Sequence, residues 1–243
     1  MAPRVLEVAA NSLDSALAAQ AGGAGRIELC TALELGGLTP SHGEIALVRE
    51  HVRLPLYVLI RPRAGDFLYS GHEKATMRRD IEACAALGCD GVVFGALDAD
   101  GDVDMDCCSE LAAAAGRMGI TFHRAFDLVR DPARALEDVI ALRAERVLTS
   151  GGARSALEGA GPIRERVAQA HGRLVVMPGA GITPANIARV AALTGADELH
   201  ASAKRARPSG MVHRAADTLD MDGGEIRTDE DEVRALLRAW GTA

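Results

Sequence analysis

Aromatic residues are scarce in this 243-residue chain: one Trp, two Tyr and four Phe make up 3% of it. An interior short of rings has to be filled by aliphatic side chains, as layered barrels of strands are. The sequence also has no Cys-x-x-Cys spacing, and its cysteines are odd in number: Cys30, Cys84, Cys89, Cys107 and Cys108. That argues against a disulfide framework and against a structural Cys/His zinc site, and it suits a reducing, cytoplasmic setting. No stretch approaches ~18 uninterrupted apolar residues, so no membrane-spanning helix is expected. The opening residues run straight into a strand pattern, with no signal-peptide character. A basic excess is absent as well. The net charge of −7 makes nucleic acid a poor partner.

What is present is a rhythm. Short Val, Ile and Leu runs at 5–8, 26–29, 56–60, 91–94, 120–123, 146–149, 173–177 and 198–201 alternate with longer Ala-rich stretches, and their starts lie 21 to 35 residues apart. Each interval fits one βα unit, because a parallel return needs a crossover of a dozen or more residues. Helices are expected at 12–20, 41–51, 73–87, 106–117, 133–142, 162–170 and 184–193. Their punctuation agrees: Asp131-Pro132 opens one, and Gly88 and Gly195 close two others. Eight β-then-α repeats predict a single (β/α)8 TIM barrel over 1–243 with no linker. After Ala203 the pattern loosens, which predicts a polar loop over 204–224 and a terminal helix over 228–240 capped by Thr228 or Asp229.

In such a barrel the chemistry gathers at the C-terminal ends of the strands. The strand ends here carry Glu7 with Asn11, Glu28 and Cys30, Arg61, Arg63 and Asp66, His123, Arg124 and Asp127, Thr149 and Ser150, the run Met177-Pro-Gly179-Ala-Gly181, and His200 with Ser202. Buried charges must pair or serve a ligand. For proton transfer the candidates are Glu28 and His123, with Asp127 placed to orient the imidazole. Glu7, Arg61, Arg63, Asp66 and Arg124 are candidates for holding an anionic substrate. Ser150, Gly179 and Gly181 could offer it backbone donors. Each has a plainer alternative: a salt-bridge lining for Glu7 and Arg61, a hydrogen-bonded core imidazole for His123, and a tight turn for the glycines. The acidic run from Asp98 to Asp106 resembles a calcium loop but lacks its closing Glu, so it reads as a polar connection.

Several longer motifs go further. Gly23-Ala-Gly-Arg26-Ile-Glu28-Leu-Cys30, Leu35-Gly-Gly-Leu-Thr-Pro-Ser41, Ile60-Arg-Pro-Arg-Ala-Gly-Asp-Phe67, Thr121-Phe-His-Arg-Ala-Phe-Asp127, Arg146-Val-Leu-Thr-Ser-Gly151 and Met177-Pro-Gly-Ala-Gly-Ile182 follow one another in an order that resembles the CutC copper-homeostasis family. The resemblance implies a (β/α)8 barrel, a cytoplasmic homo-oligomer, a dimer above all, and Cu(I) binding through Cys30. Many members carry a second cysteine directly after the strand 1 Glu-Val pair, where this chain has Ala9. Cu(I) favours two or more soft donors, so Cys107, Cys108 or Met177 would have to approach Cys30. Two functions stay open: copper handling at Cys30, and acid/base catalysis on an anionic or polyhydroxylated small molecule.

Overall fold

The computed structural model describes residues 4–213 and 224–241. Eight strands alternate with seven helices: β1 (Val5–Ala10), α1 (Leu13–Gly22), β2 (Arg26–Leu29), α2 (His42–His51), β3 (Leu56–Leu59), α3 (Gly71–Ala86), β4 (Gly91–Phe94), α4 (Met105–Ala115), β5 (Gly119–Phe122), α5 (Pro132–Ala141), β6 (Arg146–Thr149), α6 (Ala160–Ala170), β7 (Val175–Pro178), α7 (Ile187–Thr194) and β8 (Glu198–Ala201). All pair in parallel, in the order β7-β6-β5-β4-β3-β2-β1-β8. The two end strands, β7 and β8, come side by side and bring the barrel nearly to closure. That seam is packed rather than laddered among the described residues. Pro178 has no N–H to give, and a side chain at Gly179 would stand 3.3 Å from His200 Cβ.

Strand alternation separates two interiors. One parity faces the helices and builds the large aliphatic core, with Leu6, Ile27, Val58, Phe94 and Leu199 within it. The other parity faces the axis, where Ala9, Cys30, Tyr57, Leu59 and Val93 form a small cluster. Tyr57 takes up much of the lower axis because glycine makes room for it. A Cβ on Gly91 would fall 2.1 Å from the ring, and one on Gly119 would fall 2.2 Å from the hydroxyl. Gly91→Ala is therefore expected to destabilise the fold by about 1–3 kcal/mol through overpacking. A thermal melt checks this, and an unchanged midpoint would show that Tyr57 is free to move aside.

The region expected as a polar loop contains strands instead. β9 (Lys204–Pro208) pairs antiparallel with β10 (Gly224–Thr228), register Lys204 to Thr228. Residues 214–223 of the expected loop lie outside the described residues. β9 is exposed along its whole length, so no in–out alternation of hydrophobicity marks it in the sequence. The hairpin is tied to the barrel by Thr228 Oγ1, which donates to the carbonyl of Ala9 or of Ser202 at 3.2 Å, and by Asn11 Nδ2 on the Ile226 carbonyl at 2.8 Å. α8 (Glu230–Trp240) follows, capped by Asp229, and buries Val233, Leu236 and Trp240.

Candidate functional site

Arg26, Glu28 and Cys30 alternate along β2 and its end, and the axis-facing parity carries all three inward. Glu7 on β1 and His200 on β8 meet them from the adjoining strands. Arg26 Nε donates to Glu7 Oε2 at 2.5 Å, and His200 Nδ1 lies 2.8 Å from Glu7 Oε1. Below them the column continues: Arg26 Nη2 and Arg146 Nε both donate to Glu198 Oε2, at 2.5 and 2.8 Å, and Glu145 accepts from Arg146 and from the Tyr57 hydroxyl. Glu7 is wholly buried. Burial works against its charge, but Arg26 and His200 outweigh that and hold the carboxyl down at about 2.

Above this column opens a cavity of about 730 Å³, at the C-terminal end of the strands. That volume suits a small-molecule ligand. Glu28 and His200 line it, with Glu28 Oε2 3.7 Å from His200 Nε2, too far for a hydrogen bond. Glu28 is 5% exposed, and among the described residues its carboxyl makes no hydrogen bond. Burial pushes that carboxyl up to about 7, against the pull of His200. Burial opposes the charge of His200 too, yet Glu28 and Glu7 together raise it above the ordinary histidine range. Both groups thus keep a proton to higher pH than they would when exposed.

His123 also lines the cavity, but it is placed differently from the sequence expectation. Asp127 does not orient it. The Asp127 oxygens accept from Thr149 Oγ1, from the Ser150 hydroxyl and N–H, from the Gly152 N–H and from Arg124. Asp127 is the knot that ties the turns after β5 and β6. The imidazole packs on Phe67 instead, and its Nδ1 accepts from the Ala125 N–H at 3.2 Å. Its proton therefore belongs on Nε2, which has no partner. Burial, then the charge of Arg61, drives His123 down to about 3, so it stays neutral.

Arg61 is 7% exposed and lines the same cavity. Its guanidinium donates to the carbonyls of Leu35, Gly37 and Gly65 at 2.8–3.0 Å and lies over the Phe67 ring. Among the described residues it has no carboxylate partner, and its Nε makes no hydrogen bond. Arg63 and Asp66 do not line the cavity. Arg63 turns back onto Glu73 and Asp66, fixing the start of α3. Ser150 is buried behind Asp127, and Gly179 packs against Leu148 and His200. Gly181, at φ +70°, and Arg124 stand on the cavity wall. Glu7 lies beneath its floor. His200, which stands among the strand-end residues in the sequence but was given no role there, completes the floor, and Arg26, which holds Glu7, was not among those strand-end residues. Their shared parity with Glu7 and Glu28 was the signal available.

Glu7, Glu28 and His200 are also the one group of three metal-ligating side chains among the described residues close enough to share a cation. Both Glu7 oxygens are already engaged, and Arg26 supplies the positive charge. Cys30 fits Cu(I) poorly. It is 1% exposed, and burial, reinforced by Glu28, holds its thiol well above the usual range. Among the described residues no second soft donor joins it: Met177 Sδ takes a bond from Arg26, and the other four cysteines sit in the helix-facing core or its turns.

The model of the CutC family matches residues 4–205. The chain belongs to the CutC family. A family protein CutC from Xylella fastidiosa is 57% identical over 233 residues, covering 96% of this chain and 87% of the relative. The mouse copper homeostasis protein cutC homolog is 50% identical over 210 residues, 86% and 77% of the two chains. A crystal structure of a CutC from Streptococcus agalactiae superimposes with a TM-score of 0.79 at 29% identity, covering 82% of this chain and 98% of that one. Thiamine phosphate pyrophosphorylase from Pyrococcus furiosus shares the fold alone, with a TM-score of 0.61 at 15% identity. Beside its CutC relatives the chain keeps the same barrel, and no helix among its described residues is long and apolar enough to cross a membrane.

Proposed function

We propose that this CutC-family barrel is an enzyme that transfers a proton to or from a small anionic molecule bound in the cavity above Glu28. The observation that carries the reading is Glu28 itself: a buried carboxyl on the cavity floor, without a hydrogen bond, beside an imidazole whose other nitrogen is fixed by Glu7. A purely structural carboxylate is expected to have its lone pairs filled. Arg61, a buried cation with no acidic partner, favours a negatively charged ligand, because uncompensated buried charge is costly. His123 adds a neutral Nε2–H. Arg124 and Gly181 serve the same ligand from the wall.

The test is a thermal-shift series with small carboxylates, phosphate esters and polyols on wild type, Glu28→Gln and His200→Asn. Any probe that stabilises wild type is then incubated in D2O and followed by proton NMR. Deuterium uptake at a carbon of the probe, lost in Glu28→Gln, is the expected result. Equal stabilisation of all three proteins with no exchange would overturn the reading.

The names borne by the relatives favour a second reading, a role in copper homeostasis; the setting proposed for it is a cytoplasmic homodimer. On that reading copper is cargo. Cys30 is the residue the family resemblance assigns to it, yet a single protonated thiol does not make a Cu(I) site. Cu(I) titration against a competing chelator separates the two: equal affinity of wild type and Cys30→Ala removes Cys30 from copper handling.

A further inference from the structure

We infer that the molecule taken by the Glu28 cavity is a phosphate monoester, its phosphoryl group seated on the Gly181 and Ile182 N–H groups in the turn after β7, with Lys204 beside it. The inference rests on the acid/base reading for the rest of the ligand and adds the chemical class of its charged end. Ala180, Gly181 and Ile182 follow β7 and line the cavity. The Ala180 carbonyl accepts from the Ala156 N–H at 3.0 Å, and the Gly181 carbonyl accepts from Asn186 Nδ2 at 2.7 Å. Neither Ala156 nor Asn186 lines the cavity. In a trans peptide the N–H points opposite to the carbonyl of the same unit. With both carbonyls drawn back, the N–H groups of Gly181 and Ile182 turn toward the cavity, and among the described residues neither makes a hydrogen bond. The backbone of this turn is a demanding one. Gly181 lies at φ +70° and Ala180 at φ +76°, a left-handed conformation that alanine rarely adopts. Such strain persists only where the surrounding structure enforces it, and it clusters where ligands are held.

Side chains of the same wall add to the two amides. The Ser202 and Thr183 hydroxyls line the cavity and make no hydrogen bond among the described residues. Lys204 lines it too, with no acidic partner among those residues, while Glu232 on that stretch of wall is taken by Arg205 at 2.7 Å. A phosphate monoester brings three acceptor oxygens and about two negative charges at neutral pH, enough to engage amides, hydroxyls and an ammonium together. A carboxylate presents two oxygens and one charge. The loops after the seventh and eighth strands are also where barrels of this kind commonly seat phosphate. Arg61 and His123 stand across the cavity, after β3 and β5, and remain for an oxygen at the reacting end of the ligand.

The experiment titrates the full nitrogen-15-labelled chain with inorganic phosphate and, separately, with acetate at matched ionic strength. Phosphate is expected to shift the amide resonances of Gly181 and Ile182 to saturation, and acetate is not. Lys204→Gln is expected to weaken the phosphate titration about tenfold. Lys204 is exposed, so its replacement leaves the core untouched, and the wild-type amide shifts are a readout that needs no variant. No saturable shift at those two amides, an equal response to acetate, or equal phosphate affinity in Lys204→Gln would each overturn the inference. Its failure is separable from that of the acid/base reading. Deuterium uptake by a carboxylate probe with no phosphate binding removes the phosphate seat alone. Phosphate binding with no exchange of any probe removes the acid/base step and leaves the seat.

Discussion

Arg26→Ala is expected to destabilise the protein by about 3–5 kcal/mol, the usual cost of breaking a buried ion pair from one side. The melting midpoint should fall by roughly 6–20 °C. Arg26 joins Glu7 to Glu198. Without it, Glu7 is left wholly buried with only His200 beside it, and Glu198 depends on Arg146 alone. Urea denaturation of Arg26→Ala, Glu7→Ala and the double variant checks the argument. A double variant more stable than the sum of the singles shows that the loss comes from the stranded charge and not from lost volume. A midpoint within a degree of wild type would mean that water replaces the guanidinium at no cost.

The second large effect is in pH. Burial pushes the Glu28 carboxyl up to about 7 in the folded chain, against 4.5 for an exposed one. Between those values the folded state holds a proton that the unfolded state has released. The stabilisation is complete below 4.5, is lost as pH rises through 7, and above that ionised Glu28 is a burden of up to about 3 kcal/mol. His200, raised by Glu28 and Glu7, runs in the same direction. Glu7, held at about 2, does the opposite: its contribution is present above 4.5 and fades only as pH falls toward 2. Glu28→Gln is therefore expected to melt higher than wild type at pH 8 and about equally at pH 5. A constant difference across that range would place the Glu28 titration elsewhere.

The barrel was legible because its strands and turns state themselves locally. β2, β4, β6 and β8 begin and end where their aliphatic runs do, and Asp131-Pro132 and Gly195 punctuate α5 and α7 as their backbone chemistry requires. α7 starts later than its apolar pattern, at Ile187, because Pro184 to Asn186 are spent on a turn in which the Asn186 side chain accepts from the Thr183 N–H. The candidate site was legible in part. Parity along β2 was enough to send Glu28 and Cys30 to one side. No local signal says that Asp127 is consumed by the turn after β6, or that Arg61 spends its guanidinium on three carbonyls. Those are long-range partnerships. The hairpin was hidden for the converse reason, since two exposed strands bury nothing that could leave a pattern.

That same hairpin has a bearing on colloidal behaviour. Among the described residues β9 pairs with no strand but β10, so its outer edge is the kind on which other chains can add, whereas β10 is covered on its far side by Asn11 on the Ile226 carbonyl and Ser15 on the Thr228 N–H. Lys204, Arg205 and Arg207 stand along β9, and Arg227 along β10. Arg205 is paired with Asp229 and Glu232, and Arg227 with Glu225 and Asp14, so the exposed β9 edge is guarded by Lys204 and Arg207, charged side chains of the kind that discourage a second strand from adding.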